Sequence, residues 1–88
     1  MEYSYPIDPD WTTDEIVNVI GLFQKVEEAY EQGTRPKDIL QAYKEFKKVV
    51  PSKAEEKTLF KDFEKKSGFI PFQVIKKARA AGDGKIKM

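Results

Sequence analysis

Carboxylates, lysines and tyrosines are the only side chains here that could move a proton, because the 88 residues include no histidine and no cysteine. That removes the commonest general base, the commonest metal ligand, the thiolate nucleophile and any disulfide frame. Acids stand in pairs at Asp8 and Asp10 and at Glu55 and Glu56. A carboxylate pair does acid–base work only when it is held face to face in a dry pocket. The first pair flanks Pro9 in turn-forming sequence, and the second falls where a helix start draws negative charge. Neither catalysis nor a dedicated metal site is expected, and no cofactor is implied. The late GDGK lacks the spacing and the Ser/Thr of a phosphate loop, and it follows a helix instead of preceding one.

Binding chemistry has more to work with. From Lys65 onward there are seven bases and one acid, and a helical wheel puts Phe72, Lys76 and Arg79 on one side of the last helix, with Lys77 next to them in sequence. An aromatic beside cations suits base stacking and phosphate contact, so Phe72, Lys76, Lys77 and Arg79 form a candidate nucleic-acid face. Aligning Gly68 with the turn glycine of a helix-turn-helix unit puts Glu64 and Lys77 where that motif packs small and apolar residues, so the match fails there. A second candidate is a partner surface of Tyr3, Tyr5, Val17 and Leu22, rimmed by Glu2, Asp8 and Asp14. Exposed together, these residues would suit a basic partner or a second copy of the chain. The preferred alternative is that they pack on one another within a monomer.

The elements that must position these residues are helical. Thr12 and Glu15 make a capping box, with Trp11 and Ile16 spaced as a hydrophobic staple. Ile16, Val19, Ile20, Phe23, Val26 and Tyr30 then recur at helical spacing until Gly33, predicting a helix over 13–32 with Leu22 near the edge of its apolar stripe. Pro36 opens a second helix that Pro51 ends, over 36–50, and its stripe is Ile39, Tyr43, Phe46 and Val50. Ser52 and Glu55 make a second capping box for a helix over 53–67, closed by Gly68, with only Leu59, Phe60 and Phe63 as large apolar residues. Pro71 starts a fourth helix over 71–81. Pro6 and Pro9 keep the opening stretch extended, so it is expected to strap back over the first helix. Residues 83–88 are expected to fray.

These elements predict a single all-α domain over residues 1–82, a compact four-helix bundle-like fold with an extended N-terminal strap. Net charge is +1, yet residues 1–34 hold eight acids against one base (−7) and residues 35–88 hold fifteen bases against seven acids (+8). Such a chain either docks its acidic third on its basic remainder or presents a charged face to a partner. No apolar run reaches the roughly 18 residues of a membrane span, and the acidic start lacks the pattern of a signal peptide. A cytoplasmic protein is the expectation.

The runs YSYPIDPDWTTDEIV and VVPSKAEEKTLFKDFEKKSG resemble uncharacterised protein family 0223, short proteins of Bacillus-like bacteria. The resemblance covers nearly the whole chain and implies a small all-helical intracellular protein. It implies no reaction and no site residue. The expected function is a non-enzymatic protein-interaction or regulatory module with an unidentified protein partner, the alternative being a weak nucleic-acid binder. Monomer and homodimer are both left open.

Overall fold

Thr12 sets the start of the first helix as its spacing requires. Its hydroxyl accepts from the Glu15 N–H at 3.2 Å, and the Glu15 carboxylate accepts from the Thr12 N–H at 2.8 Å, closing the capping box. In the computed structural model, which describes residues 4–82 and 84–88, the elements are α1 (Thr13–Glu31), α2 (Pro36–Val49), α3 (Lys53–Ser67) and α4 (Pro71–Ala80). The fold is all-α, a compact globule of four helices. Among the described residues the sole β-type pairing is one isolated antiparallel bridge between Thr34 and Ile86.

Proline and glycine punctuate the chain where the sequence indicated. Pro36 and Pro71 occupy the first turns of α2 and α4, and Gly68 ends α3 at φ +80°. Ser67 reinforces that stop, its hydroxyl donating to the Phe63 carbonyl at 2.7 Å and accepting from the Phe69 N–H at 3.1 Å. For α3 only the forward half of the expected capping box forms, the Ser52 hydroxyl accepting from the Glu55 N–H at 3.3 Å.

An aromatic stack ties α3 to the rest of the core. Phe23 of α1 and Phe63 of α3 stack at 4.5 Å, and Phe46 of α2 and Phe60 of α3 at 5.4 Å. Tyr30 of α1 stacks on Phe69 at 4.4 Å and accepts the Ile70 N–H at 3.1 Å, which fastens the α3–α4 turn to the far end of α1. Burial of these rings supplies much of what so short a chain can gain by folding.

The strap is closed. Tyr5 lies within 6.2 Å of both Phe23 and Phe63 in near-parallel stacks, and its hydroxyl donates to Glu27 Oε1 at 2.6 Å. Pro6 is buried, and the Trp11 N–H bonds the Asp8 carbonyl at 3.1 Å in the turn that leads into α1. Trp11 packs on the core but keeps part of its ring in water.

Two expectations are corrected. Leu22, read as an edge residue of α1, is wholly buried with Val19, Phe23, Val26 and Ala29. Elements pack on more than one side of α1, so its buried face is broader than a single stripe. Residues 84–88 of the tail do not fray either, and Asp83 lies outside the described residues. Ile86 is buried, its N–H and C=O pair with Thr34 at 2.7 and 2.9 Å, and the Met88 N–H bonds the Ala29 carbonyl at 2.9 Å. A single apolar residue among glycines and lysines has no periodicity to announce it, but it finds the gap beside Gly33. There φ is +95°, and a Cβ would stand 3.1 Å from the Ile86 carbonyl oxygen, so glycine admits the tail.

Candidate interaction groove

Of the four residues read as a partner surface, the three described ones form no common exposed patch. Val17 is exposed (61%), Leu22 is buried, Tyr5, in the strap, is half-buried, and Tyr3 lies outside the described residues. Leu22 belongs to the monomer core, and Tyr5 packs against it. Val17 takes no part in that core.

The candidate face of the C-terminal helix is only partly free. Phe72, Lys76, Lys77 and Arg79 are all exposed, Phe72 at 55%. Lys77 stands about 140° around the helix from Phe72, and its ammonium donates to the Lys87 carbonyl at 3.3 Å. The Arg79 guanidinium carbon stands 5.5 Å from the centre of the Tyr43 ring, a cation–π contact with α2. Two of the four are thus engaged within the molecule. Phe72 and Lys76 are exposed without such a contact. Glu64 and Lys77, the positions where the helix-turn-helix pattern failed, are likewise exposed.

Beside Phe72 lies an open groove of about 390 Å³ between α3 and the start of α4. Phe60, Ile70, Pro71 and Phe72 give it an apolar floor, and Lys53, Lys57 and Lys61 line it from α3. These lysines recur at i, i+4 and i+8, so they stack along one face of the helix about 6 Å apart. Like charges at that spacing oppose helix formation by a few tenths of a kcal/mol per pair. Among the described residues none of the three stands within 4 Å of a carboxylate.

Two acids reach the same groove, Glu56 and Glu64. Glu56 is only 7% exposed and is spent internally, accepting from the Tyr43 hydroxyl at 3.0 Å and pairing with Lys47 at 2.8 Å. Burial, then the bond to Glu56, raises the Tyr43 pKa above its ordinary value, while Arg79 works in the opposite direction. The charge left along the groove wall is therefore positive. Sequence reading credited Glu56 to the helix dipole and missed Tyr43 and Lys47 as its partners, which come from another helix. The i, i+4, i+8 lysines were visible in KAEEKTLFK, but the apolar floor beside them is assembled across a turn.

No group of three or more His, Cys, Asp or Glu among the described residues could hold a metal ion. No helix among them is long and apolar enough to cross a membrane.

Comparison with known proteins returns relatives along the whole chain. The model of an uncharacterised protein family, UPF0223, matches residues 2–87. The UPF0223 protein YktA of Bacillus subtilis is 51% identical over 88 residues, covering all of both chains. A UPF0223 protein of Lysinibacillus sphaericus is 48% identical over 98% of this chain and 90% of its own. One from Staphylococcus haemolyticus is 48% identical over 90% and 88%. On these matches the chain belongs to the UPF0223 family, whose function is unknown.

Proposed function

We propose that this chain is a small cytoplasmic, non-enzymatic module that binds a protein partner through the α3–α4 groove. The observation that carries this reading is Phe72, a large aromatic left 55% exposed over an open floor of Phe60, Ile70 and Pro71. Exposed aromatics beside an apolar depression supply the anchors of protein interfaces, because they gain most from being covered. The absence of histidine and cysteine fits a role without chemistry. Nucleic-acid binding is the second reading, favoured by Lys76 beside Phe72 and weakened by the engagement of Arg79 and Lys77 within the fold.

The test is affinity capture from a lysate of the native organism with parent protein and a Phe72→Asp variant, each with and without nuclease. A stoichiometric protein that survives nuclease and is lost with Phe72→Asp is the expected result. Recovery that collapses with nuclease would move the function to nucleic acid, and protein recovery indifferent to Phe72→Asp would remove the groove from it.

A further inference from the structure

We infer that the occupant of the α3–α4 groove is an acidic amphipathic helix of a partner protein, seating apolar side chains on Phe60 and Phe72 and carboxylates on Lys53, Lys57 and Lys61. This rests on the groove being the binding face, and it adds what binds there.

Charge complementarity carries the assignment. Among the described residues, none of the three lysines lining the groove stands within 4 Å of a carboxylate, and the buried acid beside them is already paired with Lys47. Holding them in a row costs α3 stability that a partner's carboxylates would return, and a partner helix lying alongside presents side chains at the same rise of about 6 Å per four residues. The wall from Lys53 to Glu64 runs about 16 Å, three turns of such a helix. Beneath the lysines the floor is aromatic and aliphatic, which accepts the i, i+4 anchors of an amphipathic helix. Glu64, at the far end, would exclude acids there and so fix the direction in which the helix lies.

A second copy of this chain fits less well, although its first third is acidic. The apolar face of α1 is buried, and Glu15, Glu27 and Glu28 already bond Thr12, Tyr5 and Lys25. Acidic third on basic groove would also be a head-to-tail contact, which tends to propagate instead of closing.

The probe is a synthetic helical peptide of about four turns, leucines at i, i+3, i+4 and i+7 and glutamates on its flanks, titrated into isotope-labelled full-length protein and followed by amide chemical shifts. Control peptides replace the glutamates with lysine or the leucines with alanine. The glutamate–leucine peptide is expected to shift Lys57, Phe60 and Phe72, and both controls to fail. Phe72→Ala and Lys57→Glu should each weaken binding by about tenfold or more, with circular dichroism confirming that both variants remain folded. Equal binding of the lysine peptide, shifts centred away from the groove, self-association that occupies the groove before the peptide does, or tighter binding of a single-stranded oligonucleotide there would each overturn the inference. A captured partner that needs Phe72 but ignores Lys57→Glu would sink it too, leaving the module reading intact. Loss of that reading requires instead that no captured protein depend on Phe72.

Discussion

The Tyr5 hydroxyl is the smallest part of this molecule with a readable role. Burial, and then its 2.6 Å bond to Glu27, push its pKa from 10.0 up to about 12. A group whose folded pKa lies above its unfolded one stabilises the fold fully below the unfolded value, and that contribution is lost as pH rises through the folded value. The strap should therefore hold below pH about 10 and weaken between about 10 and 12. Thermal melts across that window should show falling stability, and Tyr5→Phe should flatten the Tyr5 part of the fall. A Tyr5→Phe profile as steep as the parent's would mean that the phenol is not what responds. Gly33 is the other residue whose identity is dictated locally. Its φ of +95° is strained for any L side chain, and a Cβ would make a tight 3.1 Å contact with the Ile86 carbonyl oxygen. Gly33→Ala should cost about 1–2 kcal/mol from the backbone alone, measured by denaturant melts.

Among the elements, strap and tail were not equally legible. Pro6, Pro9 and the capping box indicated a strap because proline fixes φ and a box fixes where α1 begins. The same local chemistry placed all four helices, whose starts and stops are written in Thr12, Pro36, Ser52, Gly68 and Pro71. The tail depends on a partner far away in sequence, Thr34 for Ile86, and no local pattern announces such a pairing. The floor of the groove was hidden for a related reason, since Phe60 and Phe72 come to one groove from either side of a turn whose geometry no spacing rule supplies. Energetics should follow burial. Ile86→Ala should cost about 2–5 kcal/mol, as for a fully buried aliphatic side chain. Trp11→Ala should cost less than the 3–5 kcal/mol of a fully packed aromatic, about 2 kcal/mol, because part of its ring is in water. A frayed tail would instead leave the Ile86→Ala melt unchanged.

At the scale of the whole molecule, the ion pairs among the described residues are local to each half of the charge split. None of the four ion pairs among the described residues joins the acidic third to the basic remainder. Three are local helix pairs, and the fourth, Lys47–Glu56, joins α2 to α3. Exposed local pairs contribute little, so the melting temperature should move only slightly between low and physiological salt. Partner binding should respond far more, because the unpaired lysines of α3 supply its long-range attraction. Melts and binding curves over one salt series separate the two. A melting temperature that falls steeply with salt would show the acidic third and the basic remainder to be holding each other.

The closed strap and docked tail also set how the molecule would bear a load. Tyr5 is fastened at Phe23 and Glu27 of α1 and at Phe63 of α3, and the tail at Ala29, at Thr34 and, through the Lys87 carbonyl, at Lys77 of α4. Tension applied between Tyr5 and Met88 would load these outer fastenings before it reached the helix–helix packing of the core. Force would first pull off one fastening, lengthening the molecule by a few residues, and only then reach the helices. Held by its two ends in an optical trap, the protein should yield in two steps, a short early one and a long late one.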